Sequence, residues 1–106
     1  MVLLKPIEIE GRKVIGIEVR LPETTLLAIT ANKGYIMCGA LDVQFLNQKL
    51  KDRHIIAGRA IGVRTLEQLL EAPLESVTFE AESLGIRPGM KGVDALLKMI
   101  SIDGAN

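Results

Sequence analysis

The sequence is short of aromatic residues and of cysteine. Aromatic side chains make up 3% of the 106 residues, and they are Tyr35, Phe45 and Phe79. Apolar residues nevertheless make up 48% of the chain, so its core must be built mainly from leucine, isoleucine and valine. Cys38 is the only cysteine, which excludes an internal disulfide. Because a lone thiol suits a reducing compartment, we expect a cytoplasmic protein with an aliphatic core.

An excess of charge of one sign is also missing. The chain has 13 basic and 13 acidic residues, and its lysines and arginines form no run. Nucleic-acid-binding domains carry a basic patch and stacking aromatic side chains, so we do not expect nucleic acid as a partner. No apolar run approaches the roughly 20 residues of a membrane span. The first residues also lack the features of a signal peptide, and we expect no contact with a membrane.

The length of the chain fits one domain, residues 1–106. A chain this short buries only about two-thirds of the surface that its unfolded form exposes. Its apolar residues are more abundant than such a domain readily hides, so some are expected to face a second copy of the chain. We therefore predict a homo-oligomer of a single domain that has a β-rich region at residues 1–40 and a mixed, mostly helical region at residues 41–106.

Alternating apolar and polar residues predict two antiparallel hairpins in the first 40 residues. Gly11 and Arg12 supply the first turn, and residues 32–34 supply the second. Residues 25–30 are almost continuously apolar, which predicts a strand buried on both faces. The strand before them is expected to have one buried and one exposed face, and its apolar row is Ile15, Ile17, Val19 and Leu21.

The middle of the chain predicts one β-α-β crossover. Asp42 is a suitable N-cap for the helix, which carries an apolar stripe on one side. Leu41 and Phe45 lie on nearly the opposite side, so the helix is expected to contact both its own sheet and a neighbouring subunit. Residues 55–63 are expected to form a strand parallel to residues 35–40.

The last third of the chain predicts helices. Thr65 and Gln68 form a capping box, and residues 93–100 have the spacing of an amphipathic helix. Residues 77–82 fit a strand or a helix, and we predict a helix because Gly85 is placed as a C-terminal cap. The expected fold is therefore α+β, with N-terminal antiparallel β-hairpins, one β-α-β crossover, and C-terminal helices packed on a mixed sheet.

Cys38 is a weak candidate for a catalytic residue. It is expected near the end of a strand and just before a helix, where backbone N–H groups and the helix dipole favour a thiolate. His54 or Asp42 would then assist it. The alternative, and the commoner fate of a free cysteine, is a small residue of the core. One histidine and one cysteine are too few for a metal site, so we predict neither metal nor cofactor.

Arg59 and Arg64 are the candidates for anion binding. Arg59 lies within an apolar strand, where a charge needs a partner. Arg64 comes directly before Thr65 and the free N–H groups of the next helix, a combination that can hold a phosphate or a carboxylate. We expect a small anionic ligand at Arg59, Arg64 and Thr65. The alternative is a structural ion pair, with Asp42 or Asp52 as the partner.

Two classes of function follow from these residues. The first is a homo-oligomeric domain with a binding or regulatory role. The second is a small enzyme or thiol sensor that acts on an anionic metabolite in a pocket around Cys38, Arg59 and Arg64. The sequence shows no Ser/His/Asp constellation and no carboxylate pair in a catalytic motif, and its glycine-rich residues 85–92 match neither a P-loop nor a dinucleotide fingerprint. We prefer the first class.

A family resemblance rests on residues 34–42, 57–65 and 69–74, together with the glycines near residues 85–92. These segments resemble the signature of the YunC-like domain of unknown function (DUF1805), and the resemblance spans nearly the whole chain. It implies a bacterial or archaeal protein whose β-rich N-terminal region mediates tetramerisation. It implies no activity, so no catalytic residue is transferred from it.

Overall fold

The computed structural model describes residues 1–104, which form a six-stranded mixed sheet and four α-helices. None of these helices is long and apolar enough to cross a membrane. The predicted α+β fold is confirmed. The strands lie side by side in chain order: β1 Val2–Ile9, β2 Arg12–Leu21, β3 Thr24–Thr30, β4 Gly34–Met37, β5 Ile56–Arg59 and β6 Ser76–Val77. The helices are α1 Val43–Lys49, α2 Leu66–Glu71, α3 Phe79–Ser83 and α4 Gly92–Gly104, and a 3₁₀ turn, Lys51–Arg53, follows α1.

The first four strands form a continuous antiparallel meander. Glu10 and Gly11 connect β1 to β2 with φ angles of 47° and 80°, and two consecutive positive φ angles match the twist of a tight hairpin. Glu23, with a φ of 60°, turns β2 into β3. That second hairpin was not predicted, and it joins the two predicted hairpins into one unit.

The predicted β-α-β crossover is confirmed. Strands β4 and β5 are parallel, with Gly34 opposite Ile56 and Met37 opposite Arg59, and α1 lies between them in the chain. Strand β5 is shorter than the predicted residues 55–63. It ends early because the chain turns at Gly62, whose φ is 75°.

Two predicted helix starts are confirmed by their capping bonds. Asp42 Oδ1 accepts a hydrogen bond from Phe45 N at 2.9 Å at the start of α1. Thr65 Oγ1 accepts one from Gln68 N at 3.0 Å at the start of α2. In return, Gln68 Oε1 accepts a bond from Arg64 N at 2.7 Å. Each cap satisfies backbone N–H groups that the first turn of a helix leaves without partners.

Residues 77–82 contain parts of both a strand and a helix. Strand β6 ends at Val77, and Thr78 then caps α3 by accepting a hydrogen bond from Ala81 N at 3.3 Å. The predicted helix is therefore correct from Phe79 onward. Gly85 follows α3 with a φ of 91°, as its predicted capping role requires.

One face of the sheet, which we call the inner face, carries the hydrophobic core beneath α2 and α4. A methyl group on Gly16 would lie 2.8 Å from Leu66 Cδ1 of α2, and one on Gly58 would lie 2.7 Å from Leu74 Cδ1. Glycine at these positions lets the covering layer approach the sheet closely. The largest fully buried side chains are Val14, Leu27, Ile29, Ile36, Leu69, Leu74, Ile86, Leu96 and Met99.

The opposite, outer face of β1–β4 is apolar and largely uncovered, and we call this region the apolar face. Val2, Leu4 and Ile15 are 62%, 67% and 40% exposed. The strand register aligns the side chains across the sheet, with Leu4 opposite Ile17 in β2, for example. The apolar face consists of Val2, Leu4, Pro6, Ile15, Ile17, Val19, Leu21, Leu26, Ala28, Tyr35 and Met37. On the same side of the sheet, the register places Glu8 opposite Lys13 beside the β1–β2 turn, and Thr24 and Thr30 at the ends of β3.

The apolar face corrects two expectations about burial. The apolar row of β2 was expected to face the core, but Val14 and Gly16 lie there instead and Ile15 points outward. Strand β3 was expected to be buried on both sides. Its Leu27 is fully buried on the inner face, whereas Leu26 on the outer face is only partly covered. The outer apolar rows of β2 and β3 are therefore available to pack against something other than this chain's own core.

The free edge of β1 is interrupted by a proline. Arg20 N donates to Met1 O at 2.8 Å, and Met1 N donates to Arg20 O at 3.3 Å, so these two residues are a hydrogen-bonded pair. Because such pairs alternate along an antiparallel ladder, the backbone groups of Val2, Leu4 and Pro6 point toward the free edge. Proline has no N–H, so Pro6 leaves a gap in the row of donors there.

Candidate functional site

A cleft lies at the carboxyl ends of the parallel strands β4 and β5. It has a volume of about 730 Å³, within the range of small-molecule sites. The carboxyl ends of parallel strands are a common position for ligands in α/β sheets. We call it the Arg59 cleft, and its lining comprises residues 39–44, Asn47, Gln48, Arg59, residues 75–77 and Phe79.

Arg59 joins two walls of this cleft. Its Nε and Nη2 atoms donate to the carbonyl oxygen of Gly39 at 3.2 and 3.1 Å, and its Nη1 donates to Glu75 Oε1 at 2.9 Å. The expected need for a charge partner is thus met by Glu75, rather than by Asp42 or Asp52. A guanidinium has five N–H donors. Three are used, so two have no hydrogen-bond partner within residues 1–101, the part of the chain whose side chains the structure describes.

Glu75 is held in its ionised form. The hydroxyl of Ser76 donates to Glu75 Oε1 at 2.7 Å. This hydrogen bond, followed by the neighbouring Arg59 guanidinium, lowers the pKa of Glu75 below its ordinary value, although partial desolvation acts in the opposite direction. Asp42 adds a second carboxylate to the lining. One cation and two carboxylates give the cleft a formal charge of −1.

The remaining wall of the cleft is made of amides and one aromatic ring. Asn47 Oδ1 accepts a hydrogen bond from Phe79 N at 2.8 Å, which joins α1 to the start of α3. Gln44 and Gln48 belong to the same wall, and each amide can both donate and accept. The Phe79 side chain is 64% exposed. The arrangement suits a ligand that has donors, acceptors and an apolar part.

Cys38 does not line the cleft, although Gly39 beside it does. The thiol is 7% exposed, and its Sγ accepts a hydrogen bond from Leu27 N at 3.4 Å. His54, the residue considered as its base, instead lies with Nδ1 3.0 Å from Glu80 Oε1. The structure therefore gives Cys38 the surroundings of a core residue.

We expect Cys38 to react with a thiol reagent at least about 100-fold more slowly in the native protein than in denaturant, because a buried cysteine must first be exposed by opening of the fold. Absorbance during reaction with a chromogenic disulfide measures both rates. Lys33→Cys in a Cys38→Ala background places a thiol in the exposed turn before β4 and is the matched control. Rapid modification of native Cys38 would contradict this prediction and support a reactive thiol.

The two candidate arginines lie in different places. Arg64 lines a second cleft of about 620 Å³, together with Arg20 and the β2–β3 turn, and Arg59 does not contribute to it. Thr65 is engaged as the cap of α2. The structure thus brings Arg59 together with Glu75, and it does not bring Arg59 and Arg64 into one site.

Sequence reasoning did not identify most polar and aromatic residues of the Arg59 cleft, which are Gln44, Asn47, Gln48, Glu75, Ser76 and Phe79. They come from different elements and meet only in the folded chain, so no local motif marks them. The one available signal was Arg59 itself, since a charge in an apolar strand requires a partner. Among the described side chains, those of residues 1–101, no three His, Cys, Asp or Glu group in a way that suits a metal ion.

Comparisons with other proteins give relatives without an assigned activity. Residues 37–99 match the family described as "Domain of unknown function (DUF1805)". The chain is 61% identical over 100 residues to the uncharacterized protein YunC of Bacillus subtilis (strain 168), covering 94% of this chain and 99% of that protein. A crystal structure of a protein of unknown function from Thermoplasma acidophilum is similar, with a TM-score of 0.79, 33% identity, and coverage of 94% and 93% of the two chains.

Proposed function

The chain belongs to the DUF1805 family of domains of unknown function, and we propose that it acts as a homo-oligomeric binding domain. In this proposal the apolar face of β1–β4 packs against a second copy of the chain. The Arg59 cleft on the same side of the sheet is the place where each subunit binds a small molecule. The observation that carries the proposal is the apolar face.

The composition of the apolar face supports burial in an assembly. A contiguous apolar surface that extends over four neighbouring strands is unusual on a monomer and is typical of an interaction site. Two sheets commonly pack face to face when both contribute apolar rows. Burial raises the pKa of Tyr35 on this face above its ordinary value. Tyr35 is thus already partly shielded from water, whereas Val2, Leu4 and Ile15 on the same face are exposed.

A second copy is the occupant that fits this surface best. A sheet face can meet itself across a two-fold axis, since each residue then contacts the equivalent patch. The aliphatic side chains of the apolar face favour an apolar partner over a charged one, and an identical apolar face is such a partner. The family resemblance, which implies a tetramer built through the β-rich N-terminal region, agrees with the position of this face.

We expect the wild-type protein to have a mass that is a multiple of 11.5 kDa, most simply that of a tetramer, in light scattering coupled to size-exclusion chromatography at tens of micromolar. Leu4→Lys combined with Ile15→Lys should give mainly monomer, because burying four lysines in a two-fold interface is strongly unfavourable. Both side chains are exposed in the single subunit, so its fold should be retained.

Leu84→Lys is the control for this experiment. Leu84 is also partly exposed but lies at the end of α3, away from the apolar face, so its mass should equal that of the wild type. A wild-type monomer at 100 µM, or a double variant that keeps the wild-type mass, would reject the proposed oligomer.

We also propose that the oligomer works in the cytoplasm. The single cysteine, which is free and buried, fits a reducing compartment, where disulfides are rare. Fractionation of cells that express the tagged protein tests this location, and recovery mainly outside the cytoplasmic fraction would reject it.

A further inference from the structure

We infer that the Arg59 cleft binds a small zwitterion of the chemical class of the free amino acids. Its carboxylate would contact Arg59, and its ammonium group would contact Glu75. This inference deepens the binding part of the proposed function and does not depend on the oligomer. The sequence predicted a small anionic ligand. The inference here is more specific, because the ligand carries both an anionic and a cationic group.

The first argument is the unused capacity of Arg59. Gly39 and Glu75 together occupy three of its five N–H donors, and these contacts hold the guanidinium in place at the cleft wall. A fixed guanidinium with donors to spare is well suited to a carboxylate, since little side-chain entropy remains to be lost on binding. An acceptor group of the ligand is therefore expected at Arg59.

The second argument is the charge of the site. Asp42 and Glu75 outweigh Arg59, so the lining carries a formal charge of −1, and a phosphate dianion would be repelled. Glu75 Oε1 and Arg59 Nη1 lie only 2.9 Å apart, which presents a negative and a positive group side by side. A molecule with an ammonium group and a carboxylate on one carbon carries the complementary pair of charges. Its carboxylate would contact Arg59, and its ammonium group would contact Glu75.

The third argument is the size of the cleft and the chemistry beyond the ion pair. Its volume of about 730 Å³ exceeds what an inorganic ion needs. The amides of Gln44, Asn47 and Gln48 and the exposed ring of Phe79 surround the remaining space. These groups would receive the side chain of the ligand, with hydrogen bonds for a polar part and ring contact for an apolar part.

The test is an NMR titration of the full chain, uniformly labelled with ¹⁵N, with each of the twenty free L-amino acids in turn. Acetate, methylammonium and inorganic phosphate are the comparison probes. We expect at least one amino acid to cause saturable shifts at residues 39–44, 59 and 75–79, with an affinity at least about 10-fold higher than that of any comparison probe. No saturable shift in the cleft with any amino acid, or equally tight binding of acetate or phosphate, would overturn the inference.

Two variants test the roles of the charged residues. Arg59→Gln should weaken binding of the amino acid by about 10-fold or more, since a hydrogen bond to a charged group is lost. Glu75→Gln should also weaken the amino acid while strengthening acetate, because the carboxylate that repels acetate is gone. Arg64→Gln, which lies in the other cleft, should change nothing. Unchanged amino-acid binding in both Arg59→Gln and Glu75→Gln would reject the assignment.

Two further samples keep the outcomes separable. Arg59→Lys retains the positive charge if Arg59→Gln fails to fold, and it should bind the amino acid more weakly than wild type because a lysine lacks the fork of donors. The Leu4→Lys, Ile15→Lys variant should bind the amino acid in the same cleft. Amino-acid binding by a monomer would therefore support this inference even if the proposed oligomer is rejected. A stable oligomer that binds no amino acid would support the oligomer and reject this inference.

Discussion

Gly92→Ala is expected to lower the free energy of unfolding by about 3 kcal/mol or more. A methyl group at this position would overlap the backbone carbonyl oxygen of Leu69 in α2 and would lie 2.8 Å from Ile36 Cδ1. A flexible side chain can rotate away from such a contact, but a helix backbone cannot. The added carbon would therefore push α4 away from α2 and from the sheet. Because small domains are stable by only about 5–15 kcal/mol, the loss should be evident.

Urea denaturation of both proteins at one protein concentration measures this effect. Gly39→Ala is the matched control, since its new methyl group would lie 3.7 Å from Ile61 Cγ2 and 3.8 Å from Arg59 Nη2, which are ordinary contact distances. The φ angle of Gly39 is also not positive. Its variant should change the free energy of unfolding by less than about 1 kcal/mol. A Gly92→Ala protein as stable as Gly39→Ala would show that α4 is not packed this closely.

Thr78→Ala should cost about 2–4 kcal/mol of unfolding free energy. The Thr78 side chain is 2% exposed, and its hydroxyl makes three hydrogen bonds. It donates to Ile55 O at 2.7 Å and accepts from Ala57 N at 3.2 Å and Ala81 N at 3.3 Å. Alanine would leave these backbone groups without partners at the junction of β5, β6 and α3, where water has little access.

Two other substitutions of Thr78 isolate the hydroxyl. Thr78→Ser keeps it and should cost about 1 kcal/mol, the usual effect of one lost methyl group. Thr78→Val keeps the shape but not the hydroxyl, so its loss should approach that of alanine. The measurement is again urea denaturation at fixed protein concentration. Serine and alanine variants of equal stability would mean that the three hydrogen bonds contribute little.

Features set by neighbouring residues were predictable from the sequence. The caps at Asp42 and Thr65 and the positive φ of Gly85 each depend on a side chain and on backbone within a few positions. The parallel pairing of β4 and β5 was also predictable, because a helix of the right length separates two apolar segments. These predictions are confirmed, and each holds for the physical reason on which it was based.

The orientation of β2 was not predictable from its alternation. A row such as Ile15, Ile17 and Val19 looks the same whether it is covered by the chain's own helices or by another subunit. The signal that decides between them is Gly16, which sits directly beneath Leu66 of α2. The sequence alone does not show which residue covers a glycine in a strand, because that depends on where the helix packs.

The composition of the cleft was only partly predictable, for a different reason. Arg59 was identified correctly as a charge that needs a partner, but Glu75 becomes its neighbour only through the pairing of Arg59 with Ser76 between β5 and β6. Arg64 was grouped with Arg59 because it comes directly before Thr65 and the free N–H groups of the next helix, where an anion can bind. The chain turns at Gly62, and Arg64 therefore lies at the other cleft.

The two edges of the sheet have a consequence for how large an assembly can grow. An open edge on each side would let subunits add one after another into a fibre, as strands do in amyloid. Here β6 offers only two residues, Ser76–Val77, and β1 carries Pro6 where its edge would need a donor. Addition at either side is therefore poorly supported. In the proposed oligomer, growth through the apolar face would instead stop once two such faces are paired, which would favour small, closed particles over polymers.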